Sequence, residues 1–342
     1  MTVVGPSPVA RPGGYAELAA ELRRLGLMGR TPGFYVALAG GLLLAFALAA
    51  LTMALLRDSW WALLVAPVLG VLSTQVGFFG HDATHRQISR RERPSRVLGM
   101  LAGNLCNGLS YGWWLDKHNA HHAHPNDLDA DPDVYAGAVV FDAGQAADRR
   151  GVAGWTTRHQ AGLYVPMLTL EALNLHASGV RAVLRPGLRH RRTEAALLAV
   201  HYAAYVGLLA LTLTWLQAIV FVVVHQVVFG VYLGMSFAPG HKGMPVLDAE
   251  QAADPLLRQV LTSRNVRGGR LVTAVLGGLN FQIEHHLFPS MPRPHLRQAQ
   301  RVVRRFCHER GVGYAEVSLA TTYLTVLRHL DEVGADLRAA RR

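Results

Sequence analysis

Four stretches of about twenty residues without a charged side chain constrain this chain more than any other feature. They run over residues 34–56, 60–79, 195–216 and 218–237. In hydrocarbon every backbone N–H and C=O must be satisfied inside its own segment, so uncharged stretches of this length become spanning helices. Composition agrees: the chain is 51% hydrophobic and only 17% charged, with a mean hydropathy of +0.19. That is too apolar for an ordinary soluble domain. The expected fold is an all-α integral membrane protein with four transmembrane helices and a cytosolic helical cap.

Charge sets the orientation. The first pair of spans is joined by Arg57-Asp58 and the second pair by an uncharged turn over 214–217. By contrast, Arg86, Arg90, Arg91, Arg93 and Arg96 follow the second span, and a basic run over 185–192 precedes the third. Positive residues stay on the cytosolic side, so both termini are expected there. The net charge of +11 then reads as membrane orientation and attraction to anionic head groups, with no nucleic-acid partner. Cys106 and Cys307 stand far apart and suggest no disulfide framework. The first 30 residues lack a continuous apolar core, so no cleavable signal peptide is expected.

Residues 1–30 read as a Pro/Gly-rich tail over 5–14, then an interfacial helix over 15–27; a plain helix packed on the protein is the alternative. Residues 31–295 form the membrane-bound domain and 296–342 charged cytosolic helices. Residues 97–114, broken by Gly99, Gly103, Asn104, Asn107 and Gly108, read as a segment dipping into the interface, with a buried helix of the cytosolic part as the alternative. Residues 161–184 read as a helix lying on the membrane, with a full span as the alternative. His201 and His225, inside the third and fourth spans, are expected to hydrogen-bond between helices.

Histidine carries the chemistry. His118, His121 and His122 fall within five residues, at the i,i+3 and i,i+4 spacings that share a helix face. His81-Asp82-Ala83-Thr84-His85 repeats that geometry upstream, and Gln282-Ile283-Glu284-His285-His286 repeats it downstream. A solvated His-rich surface does not explain three repeats separated by long apolar stretches. Each box sits by a cytosolic helix end, so the three can converge beneath the bilayer. Seven imidazoles exceed one tetrahedral zinc and fit two metal ions with open positions; spacing alone does not name the metal. Asp82 and Glu284 are expected to hold a histidine by its other N–H rather than to bind metal. Gln282 either faces the metals or bonds nearby. The Asp-rich run over 125–133 lacks the turn Gly and terminal Glu of a calcium loop and reads as a polar loop.

HDxxH, HxxHH and QxEHH, in this order among four spans, resemble the membrane-bound fatty acid desaturases over about residues 30–295. The resemblance implies a non-haem di-iron centre that uses O2 and two electrons to place a double bond in a fatty acyl chain. Gln282 at the head of the third box is similar to the acyl-lipid and front-end branch. Arg11-Pro12-Gly13-Gly14 lacks the histidine of a fused haem domain's motif, so a separate ferredoxin- or cytochrome-type donor with its reductase is expected. Gly240 stands where relatives often carry Asn. A membrane hydroxylase or ketolase is the alternative reaction; a His-rich metal carrier or scaffold is the alternative class. An eighth ligand is expected in His241, which follows the fourth span at the cytosolic edge. His225, 16 residues earlier, would lie roughly 24 Å deeper. Pro239, Gly240 and Gly243 would let the chain turn sharply there.

Overall fold

The computed structural model describes residues 14–339; the N-terminal tail, with Arg11-Pro12-Gly13, lies outside the described residues. The helices in chain order are α1 (Tyr15–Arg24), α2 (Pro32–Leu55), α3 (Val65–Thr84), α4 (Glu92–Met100), α5 (Tyr111–Ala123), α6 (Ala143–Ala147), α7 (Gly151–Arg158), α8 (Gln160–Leu168) and α9 (Glu171–Leu184). Then come α10 (Arg191–Thr212), α11 (Trp215–His241), α12 (Ala249–Ala253), α13 (Pro255–Leu261), α14 (Arg270–Val275), α15 (Gln282–Leu287), α16 (Leu296–Glu309), α17 (Leu319–Val333) and α18 (Ala335–Ala339). Among the described residues four helices are long and apolar enough to cross a membrane: Pro32–Leu55, Trp60–Thr84, Arg191–Thr212 and Trp215–His241. The all-α expectation needs one correction. Asn265–Arg267 (β1) and Glu316–Ser318 (β2) form a short parallel pair, with Val266 opposite Val317.

The chain divides into two compact units. One contains Arg30–Asp116 and Pro166–Met235. Its core packs Met53, Ala66, Leu69, Leu209 and Phe221. Leu43, Leu44, Leu48, Leu51 and Leu55 of α2 face outward, an apolar surface that suits lipid and not water. The two short connections are tied together: Asp58 N donates to the Thr212 carbonyl at 2.9 Å, and Gln217 Nε2 donates to the Asp58 carbonyl at 3.0 Å. Residues 97–114 are not a continuous helix. α4 runs into a π-helix, Leu101–Cys106, and α5 starts afresh at Tyr111. Residues 161–184 form two helices, too short singly to span.

A buried carboxylate organises this unit. Glu194, 1% exposed, accepts hydrogen bonds from Asn104 Nδ2 at 3.0 Å, Ser110 Oγ at 2.7 Å and the Gly112 N–H at 3.1 Å. The last of these donors belongs to the first turn of α5, where a helix lacks internal acceptors and favours negative charge.

The other unit contains residues to Gly29, Lys117–Val165 and Ser236 onward. Its core gathers Leu18, Leu22, Leu256, Val260, Ile283, Leu287, Val303 and Phe306. The interfacial reading of α1 is therefore corrected: the helix is packed on protein. Leu18 and Leu22 are fully buried, each contributing about 1.5–3 kcal/mol, and Glu17 and Glu21 pair with Arg310 and Arg305.

Candidate metal centre

The third box lies on α15, a helix of only six residues. Its position depends on Asn265 of β1. That side chain accepts from the Ile283 N–H at 2.9 Å and donates to Glu284 Oε2 at 2.7 Å. Glu284 also accepts from Tyr314 Oη at 2.7 Å. Its expected role of holding a histidine is thus corrected: its carboxylate braces the helix from behind. Burial pushes the Glu284 carboxyl up to about 7, against the lowering effect of the Tyr314 and Asn265 hydrogen bonds.

The fourth long helix continues through Pro239 and Gly240 and ends at His241. The expected sharp turn comes later, at Gly243, where φ is +76°. Arg264 makes the continuation possible. It donates from its backbone N to the Gly240 carbonyl at 2.8 Å and from Nε to the Pro239 carbonyl at 2.9 Å, satisfying carbonyls that a helix end leaves open. Gly240 is required by close approach. A Cβ there would stand 2.7 Å from Gln282 Cγ, so Gln282 fills the space that an Asn at position 240 would need.

Three imidazoles meet at the end of this helix. His121, His241 and His286 are buried, and their ligand atoms lie within 4.8 Å of one another. Each ring is held from behind through Nδ1. His121 Nδ1 is 2.9 Å from Asp131 Oδ2, His241 Nδ1 is 3.0 Å from the Thr262 carbonyl, and His286 Nδ1 is 3.0 Å from Gln259 Oε1. Acceptors at all three Nδ1 atoms place the proton there and leave Nε2 as the ligand lone pair. Gln282 Nε2 lies 2.8 Å from His241 Nε2, which puts the head of the third box at the same point.

The remaining box histidines of this unit form a second group. His122 Nε2 is 3.1 Å from His118 Nε2 and 3.2 Å from His285 Nε2. Ring nitrogens that face one another so closely need a cation or proton between them, so the donors present fit a metal. Gln259 connects the two groups: its Nε2 donates to the His122 carbonyl at 2.9 Å while its Oε1 holds His286.

Asp131, Gln259 and Thr262 were not singled out by the sequence. The signal for Asp131 is the Asp-rich loop, here a device for returning a carboxylate to His121. Asn126 takes a left-handed conformation (φ 60°), and its N–H donates to Asp131 Oδ2 at 2.9 Å. Asp133 pairs with Lys117. Burial alone would raise the Asp133 carboxyl, but Lys117, His121 and Lys242 together hold it well below the usual carboxylate range.

In the other unit, His81 lies in the last turn of α3 and His85 caps it. Their ring centroids are 4.7 Å apart. Asp82 Oδ1 lies 3.3 Å from His81 Nδ1. The edge of Trp114 packs against His81 at 5.9 Å.

Helices long and apolar enough to cross a membrane, together with buried, back-braced imidazoles that could hold a metal, fit a membrane-bound metalloprotein. Residues 58–318 match the family model described as fatty acid desaturase, and the chain belongs to that family. It is 30% identical over 287 residues to the acyl-lipid (9-3)-desaturase of Physcomitrium patens, covering 78% of this chain and 52% of that one. It is 28% identical to the delta(8)-fatty-acid desaturase 2 of Arabidopsis thaliana, covering 95% and 76%. It is 26% identical to the delta(6)-fatty-acid desaturase fat-3 of Caenorhabditis elegans, covering 82% and 66%. The chain spans about half the length of the first of these relatives.

Proposed function

We propose that this protein is an O2-dependent fatty acyl desaturase with a non-haem di-iron centre. The net reaction removes two hydrogens from adjacent chain carbons and, with O2, two electrons and two protons, yields a double bond and two waters. The observation that carries the reading is the convergence of His121, His241 and His286, each with its Nδ1 proton engaged behind the ring. The proposed ligands are His81, His85, His118, His121, His122, His241, His285 and His286, with Gln282 facing the metal. Nitrogen-rich sites with open positions suit iron, which when bound supplies the oxidant for an unactivated C–H bond.

The chain's own residues prepare that chemistry. Asp131 places a carboxylate behind His121 and raises its basicity as a ligand, while Gln259 and Thr262 give His286 and His241 neutral acceptors. Burial of these rings keeps bulk water from the reacting carbon. Asp82 orients His81. The acyl chain, carried as a CoA or lipid ester, enters from the bilayer, and the site and both termini face the cytosol. Reducing equivalents come from a separate ferredoxin- or cytochrome-type protein with its reductase. The exposed face of α16, with Arg297, Arg301 and Arg304, is suited to an acidic donor, so turnover should fall as salt rises.

The test is the lipid profile of cells expressing the chain, with and without a matched donor and reductase. Products two hydrogens lighter, dependent on the donor, support the reading. Products gaining one oxygen, or no O2-dependent product with donor present, overturn it.

A further inference from the structure

The unit formed by Arg30–Asp116 and Pro166–Met235 contains a cavity of about 570 Å³, within the range of small-molecule sites. Phe46, Ala50, Leu69, Leu173, Leu208 and Val222 make most of its wall apolar. One side is different: it is built from five ring side chains, His176, His201, Tyr202, Tyr205 and His225.

Each of these rings is hydrogen-bonded to the protein. His201 Nδ1 is 2.9 Å from the Leu105 carbonyl and His176 Nδ1 is 3.0 Å from the Gly108 carbonyl. Carbonyls only accept, so both imidazoles carry their proton on Nδ1 and present Nε2 as an acceptor. Tyr202 Oη donates to the Gly108 carbonyl at 3.1 Å. Tyr205 Oη lies 2.8 Å from His225 Nδ1 and Ser73 Oγ lies 3.3 Å from His225 Nε2, so His225 is paired at both nitrogens. The acceptors left over are Nε2 of His201 and the side-chain oxygens of Asn107 and Gln226, which line the same cavity and have no hydrogen-bond partner among the described residues.

That capacity selects the ligand. A carboxylate or phosphate brings only acceptors, and among the described residues no lysine or arginine lines the cavity to pair with its charge. Water can donate to these acceptors but leaves the apolar walls uncovered. A hydroxyl carried on a hydrocarbon chain suits both features, because the O–H pairs with His201 and the flanking methylenes bury against the walls. We propose that this cavity binds a lipid acyl chain bearing a hydroxyl group, with the O–H donating to His201 Nε2. The inference goes beyond desaturation and does not depend on it. If the desaturase reading holds, the site also fixes chain depth: Ser73 precedes His81 by eight residues on α3, about 12 Å along the helix.

The test uses the purified full chain in nanodiscs and three C18 probes: 12-hydroxystearate, stearate and 12-acetoxystearate, the last of which lacks the donor. Binding is read by displacement of labelled stearate. The hydroxy chain should bind about five- to tenfold tighter than either of the others. His201→Asn, whose amide keeps a donor for the Leu105 carbonyl but has no Nε2, should erase that preference. Equal binding of the hydroxy and plain chains, equal binding of the hydroxy and acetoxy chains, or a preference that survives in folded His201→Asn would each overturn the proposal. A preference that is present while no desaturation occurs rejects only the catalytic reading.

Discussion

His121 Nδ1 lies 2.9 Å from the Asp131 carboxylate, and that carboxylate is completely buried. A buried anion with a protonated imidazole nitrogen in front of it makes the far nitrogen a stronger ligand. Asp131→Asn keeps the shape and an acceptor but removes the charge. Metal affinity should fall about 10- to 100-fold, measured by competition with a chelator on folded protein. An unchanged affinity would mean that Asp131 serves only the loop around Asn126.

Glu194 should matter for stability and not for metal. Its carboxylate accepts from Asn104, Ser110 and Gly112, and Glu194→Gln turns an NH2 group toward some of those donors. The expected loss is about 2–4 kcal/mol, visible as a clear drop in Tm in detergent. A variant with wild-type Tm would show that these hydrogen bonds are replaceable by water.

Cys307 gives a pH-dependent prediction. Burial, with the charge of Glu284 adding to it, pushes this thiol up to about 12, whereas an unfolded cysteine titrates at about 8.5. Only the thiolate is nucleophilic. In the folded protein Cys307 should therefore resist iodoacetamide between pH 7 and 9, and in denaturant it should alkylate readily and faster as pH rises. Mass spectrometry of the labelled peptide checks this; rapid labelling of the native protein would contradict it.

The spanning helices were legible because length and lack of charge leave hydrocarbon few alternatives. The boxes were legible because i,i+3 and i,i+4 spacing is a local property. Features set by tertiary contact were not. Nothing near Gln259 announces that it will reach both His286 and the His122 carbonyl. Pro239 and Gly240 are proper signals for a helix stop, and Arg264, distant in sequence, overrides them by capping their carbonyls. The amphipathic pattern of α1 shows an apolar face but not whether lipid or α16 covers it; the Glu17 and Glu21 pairs with arginine decide for α16. Glu284 sits beside two histidines in sequence yet turns toward Asn265 and Tyr314, because neighbours on a helix face different ways.

Metal analysis of the purified, folded protein tests the di-iron reading most directly, alongside His241→Ala and His85→Ala. The convergence of His121, His241 and His286 predicts two irons per chain, with the His241→Ala variant losing iron as severely as His85→Ala. One zinc and no iron in fully folded protein, or full iron retained by His241→Ala, would contradict it.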